Sequence, residues 1–247
     1  MKIIPLSEGS FTIDKTKQFI PFNKEVDDLQ ARPTGSLLVE VQPFVVITDE
    51  DVILLDTGLG FVLPNGQLQI HANLAQHGIN STDVTKVLMS HLHKDHAGGL
   101  SFEDPATGMK KLSFPKATHY VQAKEFEFAM DVQNKSYIQD DFALLQDHPA
   151  LHLFKEGDEI GTGIRHVLTG AHCPYHTVYH LENDTSHVFF GGDVAPQLQQ
   201  MKSRFVAKYD FDGKLAMELR QQWWQEGNKE HWTFLFYHDI KSAMVAC

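Results

Sequence analysis

Short runs of apolar residues, separated by turn residues, dominate the first half of the chain. These runs are rich in Val, Ile and Leu, and such runs between turn signals predict β-strands. The predicted strands are residues 2–13, 36–48, 52–56 and 84–89. Apolar residues at roughly helical spacing predict one short helix over residues 69–77.

The second half of the chain repeats this mixture of strands and helices. Strand patterns cover residues 118–122, 164–168, 177–181, 187–190 and 232–237. Helical patterns cover residues 123–130 and 214–226, and the latter places Leu215, Leu219 and Trp223 on one stripe.

The predicted strands fall into two groups, each with its own helices. This order predicts two sheets packed face to face with helices outside, within a single domain that spans residues 1–247. No run approaches the ~18 consecutive apolar residues of a transmembrane helix, so no membrane partner is expected.

Composition narrows the function classes. The 247 residues include 21 Lys and Arg against 32 Asp and Glu, which gives a net charge of −11. Nucleic-acid binding needs clustered positive charge, so a small-molecule substrate is expected instead. The two cysteines, Cys173 and Cys247, make no disulfide framework, and residues 1–15 show no apolar run of signal-peptide length. A cytoplasmic location is therefore expected.

The 15 histidines are the compositional anomaly, and four ligand-type side chains lie within six residues. His91 and His93 point to one side of an extended segment, and a turn after them brings Asp95 and His96 toward the same cavity. Imidazole and carboxylate ligands suit Zn²⁺ or another divalent metal ion. Four groups so close together in the chain do not readily reach the four corners of one tetrahedral ion, so two adjacent ions are expected.

The spacing His-x-His-x-Asp-His resembles the signature of the metallo-β-lactamase superfamily. Four further elements of that family are present in the expected order, one before this motif and three after it, across residues 55–238. They are Asp56 in Leu-Asp-Thr-Gly, His172 in a turn that starts at Thr169, Asp193 in Gly-Gly-Asp, and His238 after a final strand.

The resemblance implies an α/β fold, the four-layer αββα sandwich of this family, with the metal site at one edge between the sheets. It implies two divalent metal ions per chain, with zinc as the default. One ion takes His91, His93 and His172, the other takes Asp95, His96 and His238, and Asp193 bridges both. Asp56 then accepts a ring N–H from a ligand histidine. Asp95 has a second, catalytic role, in which it protonates the leaving group.

The implied function is dinuclear metal-dependent hydrolysis by a metal-bridged hydroxide, with a lactone or related ester as substrate. The compact chain is similar to the lactonase and organophosphate-hydrolase-like members of the family. A phosphotriester or a thioester substrate, as in glyoxalase II, is an alternative, although only nine residues follow His238. A mononuclear iron oxidoreductase on the same fold is a further alternative, which leaves several of the predicted ligands without a role.

The remaining candidates carry weaker signals. His176 lies four residues after His172 and is interpreted as a turn residue rather than a ligand. The other histidines, including His180 and His187, lack companions in sequence and are expected to be surface or hydrogen-bonded side chains. The segment from Phe19 to Phe22 either borders the active-site mouth or packs under a sheet. Trp223 and Trp224 are adjacent in the predicted helix, so their rings cannot both face the core. One ring is therefore left for a contact surface, such as a homodimer interface.

Overall fold

The computed structural model describes residues 1–133 and 135–247. Its strands, in chain order, are β1 (Lys2–Pro5), β2 (Gly9–Ile13), β3 (Phe19–Pro21), β4 (Leu37–Val41), β5 (Phe44–Ile47), β6 (Val52–Leu55), β7 (Lys86–Leu88), β8 (Ser101–Glu103), β9 (Lys110–Leu112), β10 (Thr118–Gln122), β11 (Leu151–Phe154), β12 (Ile164–Leu168), β13 (Thr177–Asn183), β14 (Ser186–Phe190), β15 (Thr233–Leu235) and β16 (Met244–Ala246). Its helices are α1 (Gln69–Gln76), α2 (Lys94–Ala97), α3 (Ala123–Asp131), α4 (Gln139–Phe142), α5 (Leu198–Met201) and α6 (Gly213–Glu230).

Two of the predicted long strands are each divided in the structure. The run over residues 2–13 becomes β1 and β2, and the run over 36–48 becomes β4 and β5. The second break falls at Pro43, which has no N–H to donate to a sheet ladder. The two divisions belong together, because β1 pairs with β5 while β2 pairs with β4 in a different sheet.

The sequence pattern did not predict β3, β8, β9, β11 and β16. Each of these strands has only three or four residues, so period-two alternation has little length in which to show. The longer helices were predicted closely, and the helical stripe over residues 214–226 lies within α6.

Two mixed sheets form the body of the fold. One has six strands in the order β1-β5-β6-β7-β10-β11, and the other has five in the order β12-β13-β14-β15-β16. A three-stranded sheet β3-β2-β4 and the hairpin β8-β9 complete the strands of the described residues.

Alternation along the strands builds three apolar layers. In β6, Ile53 and Leu55 belong to a cluster with Tyr179 and Phe190 of the second sheet, which fills the space between the sheets. Leu54 points the other way, into a cluster with residues of α1 and α3. On the far side of the second sheet, Phe189 packs with Trp223 of α6 and with its neighbours. The predicted sandwich of two facing sheets with helices outside is confirmed.

The candidate site residues collect where strands of both sheets end. Strand β6 runs parallel to β7, and β14 runs parallel to β15. The carboxyl ends of parallel neighbours meet at one edge of a sheet, and the segments that follow these four strands carry seven of the candidate residues. No helix within the described residues is long and apolar enough to cross a membrane.

Candidate metal centre

The segment after β7 turns sharply, and this turn aims its side chains. His91 and His93 leave the strand in extended backbone, and α2 begins immediately afterwards at Lys94. The first turn of this short helix carries Asp95 and His96, so both residues face the same space as the two preceding histidines. The structure therefore brings the four residues of the motif together.

Three imidazoles converge on one point. His91 Nε2 lies 2.9 Å from His93 Nδ1, and His172 Nε2 lies 3.2 Å from the same His93 atom. Asp193 Oδ2 lies 3.2 Å from His172 Nε2. These four residues offer one ligand atom each within 4.8 Å of one another, which suits a single metal ion.

A second group lies on the other side of Asp193. His96 Nε2 and His238 Nε2 lie 3.1 and 2.9 Å from Asp193 Oδ1. Asp95 Oδ2 lies 3.8 Å from the His96 nitrogen and 3.5 Å from the His238 nitrogen. The two oxygens of Asp193 thus face two different groups. We call the seven residues the central cluster: His91, His93, Asp95, His96, His172, Asp193 and His238.

The tautomers within the central cluster test whether cations fit. His238 Nδ1 lies 2.7 Å from the Glu40 carbonyl oxygen, which can only accept, so this nitrogen carries the hydrogen. A neutral His238 ring then presents a lone pair to the Asp193 carboxylate, and two acceptors approach this closely only with a proton or a cation between them. His96 Nε2 and Asp193 Oδ1 are buried without a hydrogen-bond partner among the described residues. The donor set fits divalent metal ions.

The two groups of the central cluster also differ in the pKa values of their histidines. Burial and the neighbouring imidazoles lower the pKa of His91 and of His93 well below its ordinary value. Burial would also lower the pKa of His96, but the carboxylates of Asp193 and Asp95 outweigh it and raise that pKa well above its usual range. The His91 and His93 rings are therefore neutral, whereas the charged form of His96 is favoured by the carboxylates beside it.

Two carboxylates hold histidine rings of the central cluster through the ring nitrogen that does not face Asp193. Asp56 Oδ2 lies 2.7 Å from His96 Nδ1, and the same carboxylate accepts hydrogen bonds from the amide and the hydroxyl of Ser90. Asp210 Oδ1 lies 2.9 Å from His172 Nδ1. A carboxylate in this position fixes the tautomer of a ligand histidine and raises its basicity.

Asp210 was not predicted from the sequence. It lies 38 residues after His172, in a segment without a recognisable motif. Backbone hydrogen bonds from Phe211 to the His172 carbonyl and from Asp212 to the Ala171 carbonyl, of 3.0 and 2.7 Å, bring this segment to the site. Only the tertiary structure gives this signal.

The weaker candidates lie beside the cluster. His176 Nε2 is 3.2 Å from the Asp193 amide and accepts its hydrogen, so the ring lies behind Asp193. Cys173 is buried, and its Sγ lies 3.7 Å from a Glu125 carboxylate oxygen. The structure places both next to ligands and neither among the metal-ligating groups of the described residues.

Glycines allow the turn after Asp56 to touch the histidine motif directly. A Cβ at Gly99 would lie 2.1 Å from the Thr57 carbonyl oxygen, and a Cβ at Gly60 would lie 2.1 Å from the Gly98 carbonyl oxygen. Gly60 also has a φ of +71°, which L side chains rarely adopt. The Thr57 amide and hydroxyl donate to the His96 carbonyl at 2.7 and 2.8 Å. This backbone-to-backbone packing fixes Asp56 under His96.

A cavity of about 900 Å³ opens onto the central cluster. Its walls are largely apolar, and Leu29, Phe205 and Phe211 are exposed there. Phe19 also lines the cavity, whereas Phe22 is buried. Its other lining residues include four cationic side chains, which are Lys17, Arg32, Lys94 and Lys241.

Known proteins resemble this chain in sequence and in fold. The model of the metallo-β-lactamase superfamily matches residues 38–229. The N-acyl homoserine lactonase AttM of Azorhizobium caulinodans is 38% identical over 77 residues, which is 30% of this chain and only 24% of that protein. The N-acyl homoserine lactonase AiiA of Bacillus thuringiensis subsp. kurstaki is 25% identical over 228 residues, 84% of each chain. The dizinc quorum-quenching lactonase AidC shares the fold, with a TM-score of 0.72, 18% identity, and coverage of 98% of this chain and 88% of that one.

Proposed function

Since the chain belongs to the metallo-β-lactamase superfamily, we propose that it is a metal-dependent hydrolase that opens a lactone or a related ester. One observation carries the proposal. The Asp193 carboxylate lies between two groups of metal-ligating atoms, and both groups border a cavity with apolar walls.

The central cluster would hold two divalent ions, with zinc as the default. His91, His93 and His172 would hold one ion, Asp95, His96 and His238 would hold the other, and Asp193 would contact both. Two such ions, when bound, lower the pKa of a shared water and polarise the substrate's carbonyl oxygen. The proposal thus extends the metal-binding groups of the structure to a dinuclear centre.

The chain's own residues keep this site in one arrangement. Asp56 and Asp210 hold the His96 and His172 rings with their Nε2 atoms toward the space shared with Asp193. The Glu40 carbonyl does the same for His238. Preorganised ligands need no reorientation when substrate arrives, which lowers the barrier of the chemical step.

Ester hydrolysis also needs one proton at the leaving oxygen. Water oxygen bonds to the carbonyl carbon, the carbon–oxygen bond of the ring breaks, and the ring oxygen becomes an alcohol. Asp95 lines the cavity beside His238. We assign to this carboxylate the transfer of the proton to the departing oxygen, and the second proton of the water leaves with the carboxylic acid product.

The cavity suits a substrate with an apolar part and a polar reacting end. Phe19, Phe128 and Phe211 line it and offer an apolar wall for an acyl chain. The four cationic side chains at the cavity favour a product that gains a carboxylate. AttM, AiiA and AidC are lactonases by name, which supports this choice of substrate.

A lactone series tests the proposal. Metal-loaded protein is assayed in a pH-stat with N-acyl homoserine lactones of increasing acyl length, beside Asp193→Ala and beside Asp131→Asn, an exposed acidic control on α3. We expect turnover by the wild type and by Asp131→Asn, a decrease of KM with acyl length, and a kcat/KM for Asp193→Ala that is lower by about 10³-fold.

Phe19→Ala separates the cavity wall from the chemistry. We expect it to raise KM for long-chain lactones about tenfold, the worth of a few buried methylenes, with little change for short chains. If the wild type binds two metal ions and opens no lactone, the lactonase proposal is wrong, and phosphotriesters and thioesters are tested next. If it binds one iron per chain and consumes oxygen, the hydrolase proposal is wrong as well.

A further inference from the structure

A second group of ligand-type side chains lies on the hairpin of β13 and β14. His180 and Glu182 are two residues apart in β13, so they point to the same face of the sheet. The register pairs Glu182 directly with His187 of β14. We call these three residues the hairpin cluster: His180, Glu182 and His187.

The hairpin cluster is preorganised at close range. His180 Nδ1 lies 2.8 Å from His187 Nε2, and that His187 nitrogen lies 3.3 Å from Glu182 Oε1. Each residue offers a ligand atom within 4.8 Å of the others. Two ligands of one tetrahedral zinc ion, each at ~2.1 Å from it, lie about 3.4 Å apart. The two separations of 2.8 and 3.3 Å are therefore close to the separation that a shared ion requires.

The cluster lies on the face of the second sheet that packs against α6, away from the space between the sheets. Trp232 stacks beside His187 with ring centroids 4.3 Å apart, and Phe189 lies 5.0 Å from His180. Tyr179 and Leu181, on either side of His180, point to the opposite face, into the core between the sheets. The alternation of β13 thus separates the hairpin cluster from the interior that the two sheets share.

We propose that the hairpin cluster binds one divalent transition metal ion through two imidazoles and one carboxylate. This donor set suits Zn²⁺, Ni²⁺ or Cu²⁺. His180 is buried, His187 is half-buried and Glu182 is exposed, so an ion reaches the site from solvent. The bound ion joins β13 to β14 beside the turn of their hairpin.

One neighbouring charge opposes binding. Arg165 of β12 pairs with His180 in register, and its guanidinium lies 3.4 Å from Glu182 Oε1. Because the carboxylate is shared with this cation, the ion must displace the Arg165 contact. The hairpin site should therefore be weaker than the central cluster and should exchange its ion readily.

Nickel titration of zinc-loaded protein tests this site. The wild type is loaded with Zn²⁺, freed of excess metal, and titrated with Ni²⁺, while bound nickel, retained zinc and tryptophan fluorescence are measured. We expect one nickel ion to bind per chain without loss of zinc. Trp232 fluorescence should fall in step with that binding, because its ring contacts His187.

Five variants make the result specific. His187→Gln and Glu182→Gln should lose the nickel equivalent, or bind it at least tenfold more weakly. Asp184→Asn, which changes an acidic residue of the same hairpin turn outside the cluster, should bind as the wild type does. Arg165→Gln should bind nickel more tightly, and Trp232→Phe should keep the stoichiometry while losing the fluorescence change.

Two results would overturn the proposal. In the first, the zinc-loaded wild type binds no nickel in addition to the zinc that it retains. In the second, the Glu182→Gln and His187→Gln variants both bind nickel as tightly as the wild type does. Glu182 lies on the surface, so its substitution tests binding without threatening the fold. The test needs no turnover, and its outcome is independent of whether the central cluster hydrolyses lactones.

Discussion

The central cluster and the hairpin cluster place similar side chains by opposite means. The central cluster draws its residues from segments that follow strands of both sheets, and positions as distant as 91 and 238 meet there. The hairpin cluster takes all three residues from two adjacent strands, through period-two alternation and cross-strand register.

The difference lies in what each cluster has around it. The ligand rings of the central cluster are held from behind by Asp56, Asp210 and the Glu40 carbonyl. The hairpin cluster has no such support within the described residues, and Arg165 contacts its only carboxylate. Support from a second layer of hydrogen bonds distinguishes a tight, fixed metal site from a weak, exchangeable one.

The largest contrast should come from Asp193→Ala. This change removes the carboxylate that both halves of the central cluster share, and loss of about 4 kcal/mol of transition-state stabilisation lowers kcat/KM about 10³-fold. Nickel binding at the hairpin cluster should not change. Metal analysis beside lactone kinetics measures both, and a variant that keeps two tightly held ions and full activity would contradict the bridging role.

Asp210→Ala should have the next largest effect. With no carboxylate behind His172, we expect metal affinity or activity to fall about 10- to 100-fold. Because Asp210 acts through His172, excess zinc should restore most of the lost activity. Asp210→Asn, whose side-chain oxygen still accepts the ring N–H, should lie between the wild type and Asp210→Ala. Equal zinc affinity for all three proteins would show that Asp210 does not position His172.

The carboxyl group of Glu8 differs from the carboxylates of the two clusters, because it lacks a cationic neighbour among the described residues. It is buried against the turn after Asp56, where it accepts the Leu59 amide hydrogen at 2.6 Å, and burial raises its pKa from 4.5 to about 8. The folded chain therefore keeps this proton across a pH range in which the unfolded chain releases it. The associated stability is complete below pH 4.5 and is lost as the pH rises toward 8.

Glu8→Gln removes this titration. Between pH 5 and 7 we expect the wild type to lose on the order of 1–2 kcal/mol of unfolding free energy that the variant does not lose. Denaturant unfolding at several pH values measures the two slopes. Parallel slopes would mean that Glu8 ionises in the folded chain as it does in the unfolded one.

The smallest expected effect is that of His187→Gln on catalysis. The hairpin cluster lies on the outer face of its sheet, so kcat/KM for a lactone should stay within about twofold of the wild type. The measurement uses zinc-loaded protein without added nickel. A large loss of activity would mean that the hairpin cluster affects catalysis at the central cluster, and the two sites would then not be independent.

The sequence predicted the sandwich because local patterns carry most of it. Short stretches rich in apolar residues located most of the strands, and a contiguous motif located four residues of the central cluster. The break at Pro43 was missed, because an apolar run on both sides of a single proline reads as one strand. The change of sheet at that position depends on pairing between distant strands.

The same reasoning explains the missed side chains. Asp210 reaches His172 only through the path of the chain between them, for which no local pattern exists. The expectation that His180 and His187 lack companions was wrong, since Glu182 joins them. Here the signal was present, because two strands joined by a short turn fix which residues face each other. It was overlooked because the histidines were compared along the chain rather than across the hairpin.

The close contact between the turn after Asp56 and the histidine motif also bears on how new specificities arise. At Gly60 and Gly99 even a methyl group would collide with a carbonyl oxygen, so this floor of the site tolerates almost no change. The wall of the cavity is different, because Leu29, in a single 3-10 turn, and Phe211, in a turn, are exposed side chains. Substitutions can therefore accumulate among the residues of the cavity wall while the glycine turns stay constant. One inherited reaction centre can in this way come to act on many different substrates.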